Sequence, residues 1–271
     1  MNINYGFEKI NISQLDEISI TGNNHYNYKK LNFLVRSRKE NDNIIFYFHG
    51  AIANYQLNQF PFIFRGYNHN IPNTDIISVS DFLLDKYKNY TVNWTLETEK
   101  YNSDKIYYEV FSYLINSKNY KKVVFTGTSA GGFPAVKFAC IFKEYALISN
   151  SQLYIENYNI NEAIDYINSI MKDTDKIKYE TKMIEHLILK SNPKKIIYYQ
   201  NEKDTIFPPH SAYNDFLQFK KFITENNLNH IVEFNPFTYD VIPENMTQHS
   251  FQFPINNNYQ EVLINFILGK K

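Results

Sequence analysis

Short runs of β-branched and aromatic residues alternate with stretches of helical period along most of the chain, a pattern that predicts an α/β fold with a mainly parallel sheet. The first two runs, LNFLVRSR (31–38) and NIIFYF (43–48), are separated by KENDN, whose Asn and Asp residues suit a hairpin turn. DIISVSD (75–81) is the next strand, followed by a polar, aromatic stretch around Trp94. From Ser103, the expected N-cap, Ile106, Tyr107, Val110, Phe111 and Leu114 recur at helical spacing. KKVVFTG (121–127) reads as a strand, and FPAVKFACIF (133–142) as a helix with Pro134 in its first turn, where the missing N–H costs little. YALISNS (145–151), KKIIYYQN (194–201) and HIVEFNP (230–236) read as three further strands. Val262, Leu263, Phe266 and Ile267 give the closing segment an apolar helical stripe.

At 271 residues without a repeat, a low-complexity tract or a Pro/Gly/Ser linker, the chain is expected to form one domain over residues 1–271. Residues 154–191 are expected to form a lid-like insertion of one or two amphipathic helices without strands. Lys+Arg and Asp+Glu both number 28, so no global field collects phosphates or anionic lipid, and nucleic acid is excluded as an expected partner. Cys140 is the single cysteine; no internal disulfide can form, and no Cys/His cluster has the spacing of a metal site. The first residues lack a basic start followed by an apolar core, and no apolar run has bilayer length, so a soluble cytoplasmic protein is expected. Tyr (23) and Phe (22) are abundant enough to offer stacking surfaces for sugar rings or acyl groups, but a coding bias toward Asn, Ile, Lys and Tyr explains them as well.

The chemistry concentrates in VVFTGTSAGGFPAVKFA (123–139). Gly127-Thr128-Ser129-Ala130-Gly131 fits Gly-x-Ser-x-Gly between a strand and a helix, the context in which that pattern marks a nucleophile. A serine at the apex of so sharp a turn takes a strained backbone conformation. The residues two before and two after it, Gly127 and Gly131, must then lack bulk for strand and helix to approach. The same geometry aims the N–H of Ala130 at the place where an oxyanion would form.

On these residues the chain resembles the α/β-hydrolase superfamily, from about residue 31 to the last helix. The resemblance implies a mostly parallel central sheet of about eight strands flanked by helices, with the small helical insertion after the sixth strand. It also implies the chain order Ser, Asp or Glu, His. Transferred onto this sequence, that order puts the acid in YYQNEKDTIFPPHS, at Asp204 with Glu202 as runner-up, and the base at His249 in PENMTQHSFQFP. The loop after YALIS offers Asn150, Ser151 and Gln152, none of them acidic. Of the other histidines, His210 starts a helix after Pro208-Pro209, His230 opens a strand, His186 lies in the insertion, and His25 and His69 stand in polar loops. His49-Gly50 matches the superfamily's His-Gly loop, which implies a second oxyanion donor at the N–H of Ala51 or of Ile52 and a hydrogen-bonding role for His49.

Such a set specifies acyl transfer through an acyl-serine. With water as acceptor the enzyme is an esterase acting on O-acyl, chiefly acetyl, esters of a carbohydrate or small molecule. With a sugar hydroxyl as acceptor and acetyl-CoA as donor it is an O-acetyltransferase for a surface glycan. FYFHGA, ISVSDFLL and ALISNSQLYIENY, with the serine turn, are similar to bacterial hydrolase-fold proteins of surface-polysaccharide and glycoprotein assembly. A third possibility is a hydrolase-fold partner in glycan assembly that has lost its chemistry. The oligomeric state and any cofactor-binding residues have no signature in the sequence.

Overall fold

The computed structural model describes residues 8–52, 65–86, 94–158, 177–205, 211–240, 244, 246–254 and 258–270. They form two compact units. The first takes the described parts of Met1–His69, Asn73–Val123 and Asn159–Glu180, the second those of Asn70–Pro72, Val124–Tyr158 and Thr181–Lys271.

In the first unit, β1 (Lys9–Ile12) runs parallel to β2 (Gly22–Tyr28), and β2 is antiparallel to β3 (Leu31–Ser37). β4 (Asn43–Phe48) pairs in parallel with β5 (Thr74–Val79), and β5 is antiparallel to β3. All six residues of β4 and of β5 are buried, which is why these strands read as continuous apolar runs rather than alternating ones. β5 lies between β3 and β4, so the hairpin expected across KENDN does not form. The hairpin is β2–β3 instead, closed by Lys29 and Lys30 at φ 49° and 75°. Positive φ at both central residues is what a two-residue primed turn demands, but lysine carries none of the Asn-Gly signal that announces one.

Helix α1 spans Phe82–Lys86 and α2 spans Ser103–Asn116. Tyr107, Val110, Phe111 and Leu114 bury one face of α2, with the Phe111 ring 4.6 Å from that of Phe46 on β4. The N-cap is Asn102, whose side chain accepts from the Lys105 N–H at 3.0 Å; Ser103 stands one position inside the helix. β6 (Glu97–Thr98) pairs with β9 (Ile177–Lys178), so the insertion does contain a short strand, contrary to expectation. Residues 159–176 of that insertion lie outside the described residues.

In the second unit four strands run parallel in the order β7 (Lys122–Thr128), β8 (Tyr145–Ser149), β10 (Lys195–Asn201), β11 (Val232–Phe237). With them go α3 (Gly132–Phe142), α4 (Met183–Ser191), α5 (Ala212–Glu225) and α6 (Tyr259–Leu268). Every residue of α3 from Gly132 to Cys140 is buried, so this helix is apolar nearly all round rather than striped. Tyr198, Phe216, Phe219 and Phe234 meet in one aromatic cluster, with Tyr198 and Phe216 edge-to-face at 5.2 Å; in this unit the aromatic wealth fills core. On α6, Val262, Leu263 and Ile267 are buried and Phe266 is half-buried against Tyr145. Among the described residues no helix is long and apolar enough to cross a membrane.

Candidate active site

Ser129 sits where β7 gives way to α3, in a three-residue 3-10 turn, Ser129–Gly131, that feeds the helix. Its φ of +54° is left-handed, a strained value for a non-glycine residue that persists only where its surroundings enforce it. The enforcement is visible in two glycines. A Cβ on Gly127 would fall within 3.0 Å of the backbone of Gly131, and one on Gly132 would do the same with the side chain of Ser151. Gly132, which is not part of the five-residue pattern, is thus as tightly constrained as Gly127. The carbonyl of Ser129 accepts from Gly132 N–H within the turn and from Gln152 N–H at 3.1 Å. The N–H of Ala130 belongs to the first residues of the helical run, which have no preceding carbonyl in the run to bond.

The expected acid and base lie in two other loops of the same unit. Asp204 follows β10 and is fully buried; His249 stands in the 3-10 turn Gln248–Ser250 with its side chain 18% exposed. Nδ1 of His249 donates to Oδ2 of Asp204 at 2.6 Å, the short distance of a charge-assisted bond. Oδ1 of Asp204 is buried and has no hydrogen-bond partner among the described residues, so the imidazole is the carboxylate's principal polar contact there. Glu202, the other acidic candidate, lies exposed in the turn two residues earlier.

The loop bearing His249 is tied down by side chains. Asn150 donates to the carbonyls of His249 and Phe251, Ser149 Oγ to that of Gln252, and Asn201 to both the carbonyl and Oε1 of Gln248. Tyr239 donates to the Phe253 and Pro254 carbonyls, and its ring lies 4.5 Å from that of Phe251. The two asparagines carry no signal in the sequence beyond standing at the ends of strands, Asn150 just after β8 and Asn201 as the last residue of β10.

The remaining candidates occupy other places. In the first unit, Nδ1 of His49 donates to the Gly50 carbonyl at 2.7 Å, and burial pushes the imidazole's pKa down, as suits a neutral hydrogen-bonding histidine. Ala51 is exposed and Ile52 buried. His25 is not in a polar loop: it lies buried in β2, 3.2 Å from Asn32 Oδ1, with its pKa lowered mainly by burial. His69 bonds Tyr47 Oη at 2.9 Å, and burial together with Arg65 and Arg36 lowers its pKa to about 4. His230 precedes β11 in an exposed turn instead of opening the strand, His186 lies in α4, and His210 is outside the described residues.

A family model described as steryl acetyl hydrolase matches residues 7–146, more than half of the chain. The chain belongs to the steryl acetyl hydrolase family. The match takes in His49-Gly50 and the whole turn around Ser129, and stops short of Asp204 and His249. This steryl acetyl hydrolase relative has the α/β-hydrolase fold. It overlays the capsule O-acetyltransferase of Neisseria meningitidis serogroup A with a TM-score of 0.53 at 14% identity, covering 82% of this chain and 89% of that one. It overlays FphF, a fluorophosphonate-binding serine hydrolase of Staphylococcus aureus, with a TM-score of 0.50 at 16% identity, covering 80% and 91%. No curated protein matches it in sequence. As a member of its family it is an enzyme of the ester-hydrolase kind.

Proposed function

We propose that this chain is an acetyl esterase that removes the acetyl group from a hydroxyl of a small molecule or glycan through a Ser129–His249–Asp204 triad. The observation that carries the reading is the 2.6 Å bond between His249 and Asp204 in the unit whose β7–α3 turn strains Ser129. The acetyl group is the transferred acyl unit named by the family's description, steryl acetyl hydrolase.

A serine hydroxyl is a weak nucleophile at neutral pH, so Nε2 of His249 takes the proton of Ser129 Oγ as Oγ bonds to the acetyl carbonyl carbon. The Asp204 carboxylate fixes the tautomer with the proton on Nδ1 and stabilises the imidazolium that forms. The N–H of Ala130 supports the tetrahedral oxyanion, and one such donor is worth ~10²–10³ in rate. Collapse breaks the ester C–O bond, and the alcohol leaves with the proton from His249. Water, deprotonated by the same nitrogen, then attacks acetyl-Ser129, releasing acetate and restoring the serine.

The test is mass spectrometry of the protein mixed with steryl acetate, acetylated sugars and 4-nitrophenyl acetate, and separately with acetyl-CoA and an acceptor glycan, followed by analysis of the products. An acetyl adduct on Ser129 that decays to free acetate supports the esterase. Acetyl moving from acetyl-CoA to a glycan, without free acetate, would replace it with the transferase. No adduct with any donor would leave a hydrolase-fold partner protein without acyl chemistry.

A further inference from the structure

The loop after β8 reaches three parts of the second unit, and one side chain makes most of those connections. Asn150 is fully buried with a left-handed φ of +43°, a conformation that asparagine tolerates better than other residues bearing a Cβ. Its backbone N–H donates to the Tyr199 carbonyl at 3.1 Å, and its Oδ1 accepts from the Asn201 N–H at 2.8 Å, which locks it to β10. Its Nδ2 points the other way, donating to the carbonyl of Phe251 at 3.0 Å and that of His249 at 3.3 Å.

Asn201 extends the tie. Its Nδ2 donates to the Gln248 carbonyl at 2.9 Å and to Gln248 Oε1 at 2.8 Å, while its own carbonyl accepts from the Asp204 N–H at 3.0 Å. Two side-chain amides therefore grip the carbonyls of Gln248, His249 and Phe251 in the loop bearing the base, and the main chain of Asn201 also anchors the turn bearing the acid. The segment around His249 has only a three-residue 3-10 turn of its own, too little regular structure to hold an imidazole within a fraction of an ångström.

We infer that Asn150, with Asn201, is a positioning residue for acyl transfer: it fixes the main chain of His249 so that the imidazole meets Asp204 and Ser129 together. The inference rests on the reading of His249 as the base.

Asn150→Gly tests it, because glycine keeps the left-handed backbone and removes only the amide. Against 4-nitrophenyl acetate, kcat should fall about 10²-fold, the scale of a small misplacement of a catalytic group, with KM unchanged. The variant should stay folded with a melting temperature lowered by the loss of the three hydrogen bonds of this buried side chain, and the downfield Nδ1–H resonance of His249 should broaden or shift. Asn150→Asp is the second variant. It keeps the size and the acceptor for Asn201 but turns a carboxylate toward two carbonyls, so its kcat should fall at least as far. His249→Ala is the control. If it is inactive while folded Asn150→Gly and Asn150→Asp turn over at the wild-type kcat with the resonance intact, the positioning role is wrong and the triad stands. If His249→Ala itself retains turnover, the triad reading fails and takes this inference with it.

Discussion

His249 and Asp204 are joined by a 2.6 Å hydrogen bond although 45 positions separate them in the chain, and the carboxylate is fully buried. A buried carboxylate with one oxygen on an imidazole and the other without a hydrogen bond among the described residues is arranged to stabilise charge on that ring when it forms. Asp204→Asn keeps the shape and removes the charge, so kcat should drop by ~10⁴, the scale for a triad aspartate. Glu202→Gln, at an exposed position, should leave the rate at its wild-type value. Steady-state kinetics of the two variants decide the matter: a larger loss at Glu202 would reverse the assignment of the acid.

A fluorophosphonate reports the nucleophile without reference to substrate. The wild-type protein should gain a single adduct, located by peptide mapping at Ser129, and Ser129→Ala should gain none. His249→Ala should label far more slowly, because Oγ then has no base. Equal labelling of Ser129→Ala would place the reactive group elsewhere.

The serine turn is held by close contacts at its glycines, and Gly132 offers a way to measure one of them. An alanine there would collide with the side chain of Ser151, a fully buried residue. Overpacking of this kind costs about 1–3 kcal/mol, and each kcal/mol lowers the melting temperature by about 2–4 °C in a chain of this size. Gly132→Ala should melt lower by that amount. Ser151→Gly in the same chain removes the colliding atoms and should return most of the loss, giving a favourable coupling in the double-mutant cycle. Additive effects would mean that the turn relaxes in another direction.

The parts of this molecule that a sequence displays are those set by local pattern. β4 spans Asn43–Phe48, the residues of the run NIIFYF, because a strand buried on both faces has to be a continuous apolar stretch. Ser129 was visible because a strand, a strained serine and a helix cannot be joined without small residues at fixed offsets. Strand order was not visible: nothing in KENDN reveals that β5 inserts between β3 and β4, and nothing in Lys29-Lys30 announces a primed turn. Asn150 drew notice only for not being acidic. Its importance comes from tertiary hydrogen bonds to residues about a hundred positions away, and no local pattern encodes those.

In the first unit, Asp85 gives stability a pH dependence of its own. Its Oδ2 accepts from Ser80 Oγ at 2.5 Å and Asn32 Nδ2 at 2.7 Å, while its buried Oδ1 has no hydrogen-bond partner among the described residues. Burial outweighs the two donors and pushes its pKa up to about 7 from the usual 3.8, with Asp81 adding to the rise. Because the folded state holds this proton more tightly than the unfolded chain, the contribution is full below pH 4 and is lost as pH climbs through about 7. Asp85→Asn keeps an acceptor for both donors and removes the titration. Its melting temperature relative to wild type should therefore rise by several degrees between pH 5 and pH 8, whatever fixed offset the new amide introduces. Thermal unfolding of both proteins at the two pH values measures that difference, and a constant gap would show that Asp85 ionises in the folded protein as it does in water.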